Sequence, residues 1–167
     1  MKRNYDMKIA ICPGSFNPIT LGHLDIIRRA SKMFDHVIVA VLQNSNKVCD
    51  FTVDERVDMI KDSIKDLKNV SADSFDGLLA EYTKIKNASV IVKGLRAVSD
   101  FEYEFQMALV NQRINPEVET VFLTTSSEYM FLSSSSVREI AAHGGDISQF
   151  VPETIINRVM DKYKERK

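Results

Sequence analysis

Lys8-Ile9-Ala10-Ile11-Cys12-Pro13-Gly14-Ser15-Phe16-Asn17-Pro18-Ile19-Thr20-Leu21-Gly22-His23 is the stretch on which the fold turns. It opens on an apolar run of strand length, Lys8 to Cys12, and passes through two prolines and two glycines. From His23 to Phe34 it takes up a helical period that puts Ile26, Ile27, Ala30, Met33 and Phe34 on one side. Strand, tight turn and helix in that order make the first half of a βαβ unit.

The rest of the chain repeats the alternation. Strand-like runs lie at Val37 to Leu42, Val70 to Phe75, Ser89 to Lys93 and Thr120 to Thr124. Helical patterns lie at Thr52 to Leu67, Gly77 to Lys86, Phe101 to Ile114, Ser136 to His143 and Glu153 to Lys164. Thr52 followed by Glu55 reads as a capping box, Gly144-Gly145 as a helix stop, and Pro152 as the entry to the last helix. Runs such as Ile38-Val39-Ala40-Val41-Leu42 are continuous instead of alternating, the pattern of parallel strands covered on both faces. The expected fold is therefore α/β: a single domain over 1–167, a five-stranded parallel sheet with helices on both faces, and right-handed crossovers. Met1 to Asp6 read as a loose leader.

Composition narrows the function classes. Twenty-two Lys and Arg against 23 Asp and Glu leave a net charge of -1, so bulk electrostatics give no support for a nucleic-acid partner. Any anion must be gripped locally. No apolar run is long enough for a membrane span, and none at the start resembles a signal peptide. Cys12 and Cys49 are far apart without metal-ligand spacing, which suits a reducing compartment. A cytoplasmic protein with no membrane partner is expected.

In an open α/β sheet, ligands sit beyond the carboxyl ends of the strands. After the first strand, Gly22 allows a phosphate to approach the backbone. His23 falls at a helix start, where free N–H groups and the helix dipole favour an anion and a His can donate to a phosphoryl oxygen. Ser15 offers a hydroxyl beside it. The bland alternative is that His23 only caps the helix. Lys47 follows the second strand, Lys93 ends the fourth, and Arg96 follows in the same turn, a set that reads as an anion funnel at one sheet edge. Lys supplies point charges and Arg a bidentate grip. Ser133 to Ser136 open another helix and read as a second phosphate cradle, or else as a plain cap. Phe101, Tyr103 and Phe105 read as core or subunit-contact aromatics. His36 and His143 carry no chemistry in this reading, and no residue cluster has metal spacing.

Thr20-Leu21-Gly22-His23 resembles the [HT]-x-G-H signature of the nucleotidyltransferase superfamily, and Phe131-Leu132-Ser133-Ser134-Ser135-Ser136-Val137-Arg138 resembles its serine-rich second signature. Together with Gly94-Leu95-Arg96-Ala97-Val98-Ser99-Asp100-Phe101-Glu102-Tyr103-Glu104, these stretches resemble the family of bacterial phosphopantetheine adenylyltransferases, over nearly the whole chain. The resemblance implies a Rossmann-like fold, a homohexamer, Mg²⁺ arriving with ATP, and adenylyl transfer from ATP to 4'-phosphopantetheine in coenzyme A biosynthesis. By the same resemblance Ser15, Phe16, His23, Gly94, Leu95, Arg96, Glu104, Tyr129, Met130, Phe131, Leu132, Ser133, Ser134 and Ser135 would line the ATP site. Ser15, Lys47, Leu79 and Lys93 would hold the acceptor, with His23, Lys47 and Arg96 as the catalytic set. Position 93 is Lys where the family often has Arg, and position 129 is Tyr where Trp is common. Transfer to nicotinamide mononucleotide, cytidylyl transfer and a non-catalytic adenylate sensor are the rival readings.

Overall fold

A computed structural model of the chain describes residues 7–43 and 48–164. Five strands, β1 (Ile9–Gly14), β2 (His36–Gln43), β3 (Val70–Asp76), β4 (Val90–Leu95) and β5 (Glu119–Thr124), form one parallel sheet in the order β3-β2-β1-β4-β5. The order reverses between β1 and β4, which opens a crevice at their carboxyl ends. Helices α1 (Leu21–Ser31), α2 (Val53–Ser63), α3 (Leu79–Ile85), α4 (Val98–Ile114), α5 (Ser134–Ala142) and α6 (Ile156–Lys164) complete it.

The pleat of the central strands explains why both faces must be covered. Ala10, Cys12, Val37, Val39 and Val41 point to one side, into a core shared with α1, α2, α5 and α6 through Ile27, Ile60, Val137 and Val159. Ile11, Ile38 and Ala40 point to the other, against Tyr82 and Leu79 of α3. A strand buried on both faces has no polar side to show, hence the unbroken apolar runs.

Several boundaries move. α1 starts at Leu21 because Thr20 is its N-cap, and the Thr52–Glu55 box sits where its spacing places it. β4 continues to Leu95, so Lys93 lies inside the strand and not at its end. α4 begins at Val98, three residues before Phe101, and α2 ends at Ser63, short of Leu67. α5 begins at Ser134 with Ser133 as N-cap, and a 3₁₀ turn, Glu153–Ile155, precedes α6. Met33, Leu78, Ile85 and Leu109, which complete helical stripes by their spacing, are exposed. The aromatics of α4 are not core either: Phe101, Tyr103 and Phe105 are exposed, with Phe101 stacked on Phe105 at 5.5 Å between ring centroids.

Ile11 is fully buried in the middle strand, so Ile11→Ala removes three carbons where neighbours cannot close in. Thermal or urea denaturation is expected to show a loss of about 2–5 kcal/mol. Met33→Ala, on an exposed position, should stay within about 0.5 kcal/mol of the parent.

Candidate active site at the β1–β4 switch

The loop after β1 is held from outside by three groups. Arg56 of α2, buried, donates through Nη1 to the Ser15 carbonyl at 2.8 Å and through Nε to the Thr52 carbonyl at 3.2 Å. Arg138 of α5 donates through Nη1 to the Asn17 carbonyl at 2.6 Å and through Nη2 to Ser135 Oγ at 3.3 Å, while its Nε lies 3.0 Å from Asp50 Oδ2. Ser134 Oγ donates to the Pro18 carbonyl at 2.8 Å. Buried carbonyls and guanidinium groups must find partners, and here each supplies the other. The loop itself is sharply bent: Phe16 has φ 46, the Asn17–Pro18 bond is cis, and the Phe16 ring lies so close to Gly14 that a Cβ there would meet it at 2.9 Å. Sequence reading missed Arg56 and Arg138. An arginine on the core-facing side of α2, between Thr52 and Ile60, is the signal that could have found the first.

His23 is placed by the start of α1. Its backbone N–H donates to Thr20 Oγ1 at 3.3 Å, and its ring Nδ1 accepts from the Thr20 backbone N–H at 3.1 Å. This is a capping box with His at the third position. The capping role and a chemical one are thus compatible, because capping uses only Nδ1. With Nδ1 as acceptor, the neutral ring carries its proton on Nε2, a donor. Burial, and then the nearby Arg96 guanidinium, lower the His23 pKa to about 4. Phe16 closes one side of the imidazole, edge-on at 5.1 Å.

Residues 125–133 pass over this point as a strap. It comes down on Gly22, where a Cβ would be in van der Waals contact with Tyr129 Cβ at 3.4 Å and Leu132 Cδ2 at 3.9 Å. Arg96 donates through Nη1 to the Leu132 carbonyl at 3.1 Å and through Nε to Asp100 Oδ2 at 3.2 Å. Met130 and Phe131 are exposed, Phe131 standing edge-on to Phe150 at 6.3 Å. Ser133 Oγ caps α5 by accepting from the Ser136 N–H at 3.1 Å. Gly94 lets β4 meet α1, since a Cβ there would come within 2.9 Å of Ile26 Cγ1. Leu95 ends the strand, its carbonyl taking the Thr125 N–H at 2.9 Å.

Lys93 and Glu104 are brought together elsewhere. Their charged groups lie 3.1 Å apart on the wall of a cavity of about 240 Å³ between β4, α3 and α4. Leu79, Tyr103, Met107 and Asn111 line the same cavity. Leu79 and Lys93 therefore share one pocket, while Ser15, Phe16, His23, Arg96 and the strap gather at the switch beside it. Glu104 joins the first group by geometry, its Oε2 sealed from solvent. Asn111, buried and polar on the same wall, escaped the sequence reading. Lys47 lies outside the described residues. His36 is a strand-to-strand partner of Ser71 Oγ at 2.9 Å, away from the switch, and His143 caps the end of α5. Among the described residues no three His, Cys, Asp or Glu side chains converge as for a metal ion. No described helix is long and apolar enough to cross a membrane.

The cytidylyltransferase-like family model matches residues 11–140. The phosphopantetheine adenylyltransferase of Caldanaerobacter subterraneus subsp. tengcongensis is 57% identical over 95% of this chain and 99% of its own. That of Heliobacterium modesticaldum is 54% identical over 94% of each chain. The chain belongs to the phosphopantetheine adenylyltransferase family. The family's fold extends to more distant proteins. The nicotinic acid mononucleotide adenylyltransferase of Plasmodium falciparum superposes with a TM-score of 0.67 at 16% identity, over 96% of both chains. At that identity the likeness speaks for the fold alone. In this phosphopantetheine adenylyltransferase family member, the strand order and the two signatures thus meet at one crevice.

The acidity of His23 has a measurable consequence. Its folded pKa, about 4, lies below the unfolded value of 6.5, so as pH falls the unfolded chain takes up the proton first. The stability tied to the neutral ring is fully present above pH 6.5 and is lost as pH falls from 6.5 towards 4. An NMR titration of the His23 ring should show a midpoint near 4; a midpoint near 6.5 would refute the assigned burial.

Proposed function

We propose that this chain transfers the adenylyl group of ATP to 4'-phosphopantetheine, giving dephospho-coenzyme A and pyrophosphate. The observation that carries the reading is a neutral imidazole, its proton on Nε2, fixed by Thr20 at the start of α1 where the sheet order reverses. The relatives at 57% and 54% identity support the acceptor.

The reaction needs no protein nucleophile. An oxygen of the acceptor phosphate attacks the α-phosphorus of ATP, forming a new P–O bond as the bond to the bridging oxygen of pyrophosphate breaks in line. The phosphoryl oxygens gain charge in the transition state, and a preorganised donor aimed at them lowers the barrier. His23 Nε2–H fills that role. A neutral donor needs no protonation step at neutral pH. Thr20 fixes its ring, so little reorganisation is required at the moment of transfer.

Arg96, which holds the Leu132 carbonyl and acts electrostatically on His23, supports the nucleotide side. Lys93, and Lys47 by the family resemblance, take the acceptor phosphate as point charges. The apolar wall of the cavity, with Leu79 and Met107, suits the aliphatic arm, and Asn111 suits an amide. Mg²⁺ is proposed to arrive on the phosphate oxygens of ATP, where it neutralises part of their charge. A hexamer is proposed on the exposed aromatic face of α4, and a cytoplasmic location on the two free thiols, Cys12 and Cys49.

Pyrophosphate release should be measured with ATP and Mg²⁺, offering 4'-phosphopantetheine, nicotinamide mononucleotide or no acceptor. Release only with 4'-phosphopantetheine is expected. Release with nicotinamide mononucleotide instead would overturn the acceptor, and ATP binding without release would favour an adenylate sensor. His23→Ala should lower kcat by about 10²- to 10³-fold while the far-UV circular dichroism is unchanged.

A further inference from the structure

The strap from Thr125 to Ser133 has no regular structure beyond the 3₁₀ turn Ser127–Tyr129, yet it delivers Tyr129 and Leu132 onto Gly22 beside His23. A segment with few backbone ladder bonds keeps its course only if side chains hold it. Three anchors do so. Near its end Arg96 holds the Leu132 carbonyl, and just beyond it Ser134 holds the Pro18 carbonyl, both residues of the site already described. The start is held by α1 and belongs to no part of that site. There Arg29 donates through Nη1 to the Thr124 carbonyl at 2.6 Å and lies 3.3 Å from Asp25 Oδ2. The same Asp25 oxygen accepts from Ser126 Oγ at 2.8 Å.

We propose that Asp25, with Arg29 and Ser126, is a positioning clamp that sets the strap over His23 and thereby governs ATP binding, but not acceptor binding. This rests on reading the strap as the nucleotide side of the site. Asp25 lies two residues after His23 on α1, so the Nε2–H donor and the strap's anchor ride on one rigid helix. Its side chain is only 20% exposed, which keeps the carboxylate's hydrogen bonds from being freely exchanged for water. Without the Ser126 hydroxyl, Arg29 still holds the Thr124 carbonyl just ahead of the strap, but within it only the Thr125 N–H bond to Leu95 and the Tyr129 N–H bond to Ser126 remain, and neither ties it to α1. The Lys93 cavity is built from β4, α3 and α4, and none of the three clamp residues lines it.

The test uses the full chain with Ser126→Ala, Asp25→Asn and the conservative Ser126→Thr. ATP with Mg²⁺ is titrated calorimetrically, and the acceptor KM is measured from pyrophosphate release at saturating ATP. Ser126→Ala and Asp25→Asn are expected to weaken ATP binding about tenfold. The acceptor KM should stay within about twofold, as for a group that contributes nothing to that pocket. Ser126→Thr should bind ATP like the parent. Unchanged ATP affinity in Ser126→Ala overturns the proposal, as does a parallel loss of ATP affinity, acceptor KM and melting temperature, which marks a merely structural contact. Should Asp25→Asn not fold, Ser126→Ala decides. If the parent binds ATP but releases no pyrophosphate with 4'-phosphopantetheine, the acceptor reading fails while the ATP titration still decides the clamp.

Discussion

Two hydrogen bonds between Thr20 and His23 set the terms for everything at the crevice. They start α1, they fix the face of the imidazole, and they choose its tautomer. A ring capped through Nδ1 can only offer Nε2–H outward. The rest of the site is arranged around a donor whose direction is already settled. Phe16 closes it laterally, Arg96 raises the cost of a second proton, and Gly22 clears the space above. The T-x-G-H signature thus has a physical content that a motif description omits. Its Thr and His are one capping box, and its Gly lies under Tyr129 and Leu132 of the strap.

That constraint passes outward through polar contacts instead of core packing. The loop after β1 is gripped at Ser15, Asn17 and Pro18 by Arg56, Arg138 and Ser134, which come from α2 and α5. Helices far apart in sequence thereby act on one turn. Neutral net charge and strong local cation placement coexist because several of these guanidinium groups are engaged with carbonyls and carboxylates. Arg138 meets Asp50, Arg96 meets Asp100, and Arg29 meets Asp25.

The alternation of elements was legible from the sequence because doubly covered parallel strands must be apolar throughout, as β1 and β2 are. Boundaries were less so. β4 runs on to Leu95 since its pairing with β5 continues through Gly94↔Leu123 and Leu95↔Thr124, a register that no local propensity encodes. Met33 and Ile85 satisfy helical spacing but fall where no layer covers them. At the site, His23 and the serine turn could be found from their place after strands. Arg56 left one local trace, its place on the core-facing side of α2, but Asn111 left none, because nothing local distinguishes a buried polar side chain from one facing water. Glu104 shows the same limit: only the fold brings its carboxylate to Lys93.

Gly94 shows how such packing restricts what the chain can become. A methyl group at that position would land 2.9 Å from Ile26 Cγ1, the branch on α1 that fills the seam with β4. Valine at 26 keeps that carbon, so it gives no relief. Alanine at 94 forces Ile26 to shift or to be pared back, and paring it to alanine empties buried volume. The two positions are therefore locked as a pair. Drift at either must pass through a less stable intermediate, and the close seating of β4 on α1 is inherited more rigidly than the exposed residues around it.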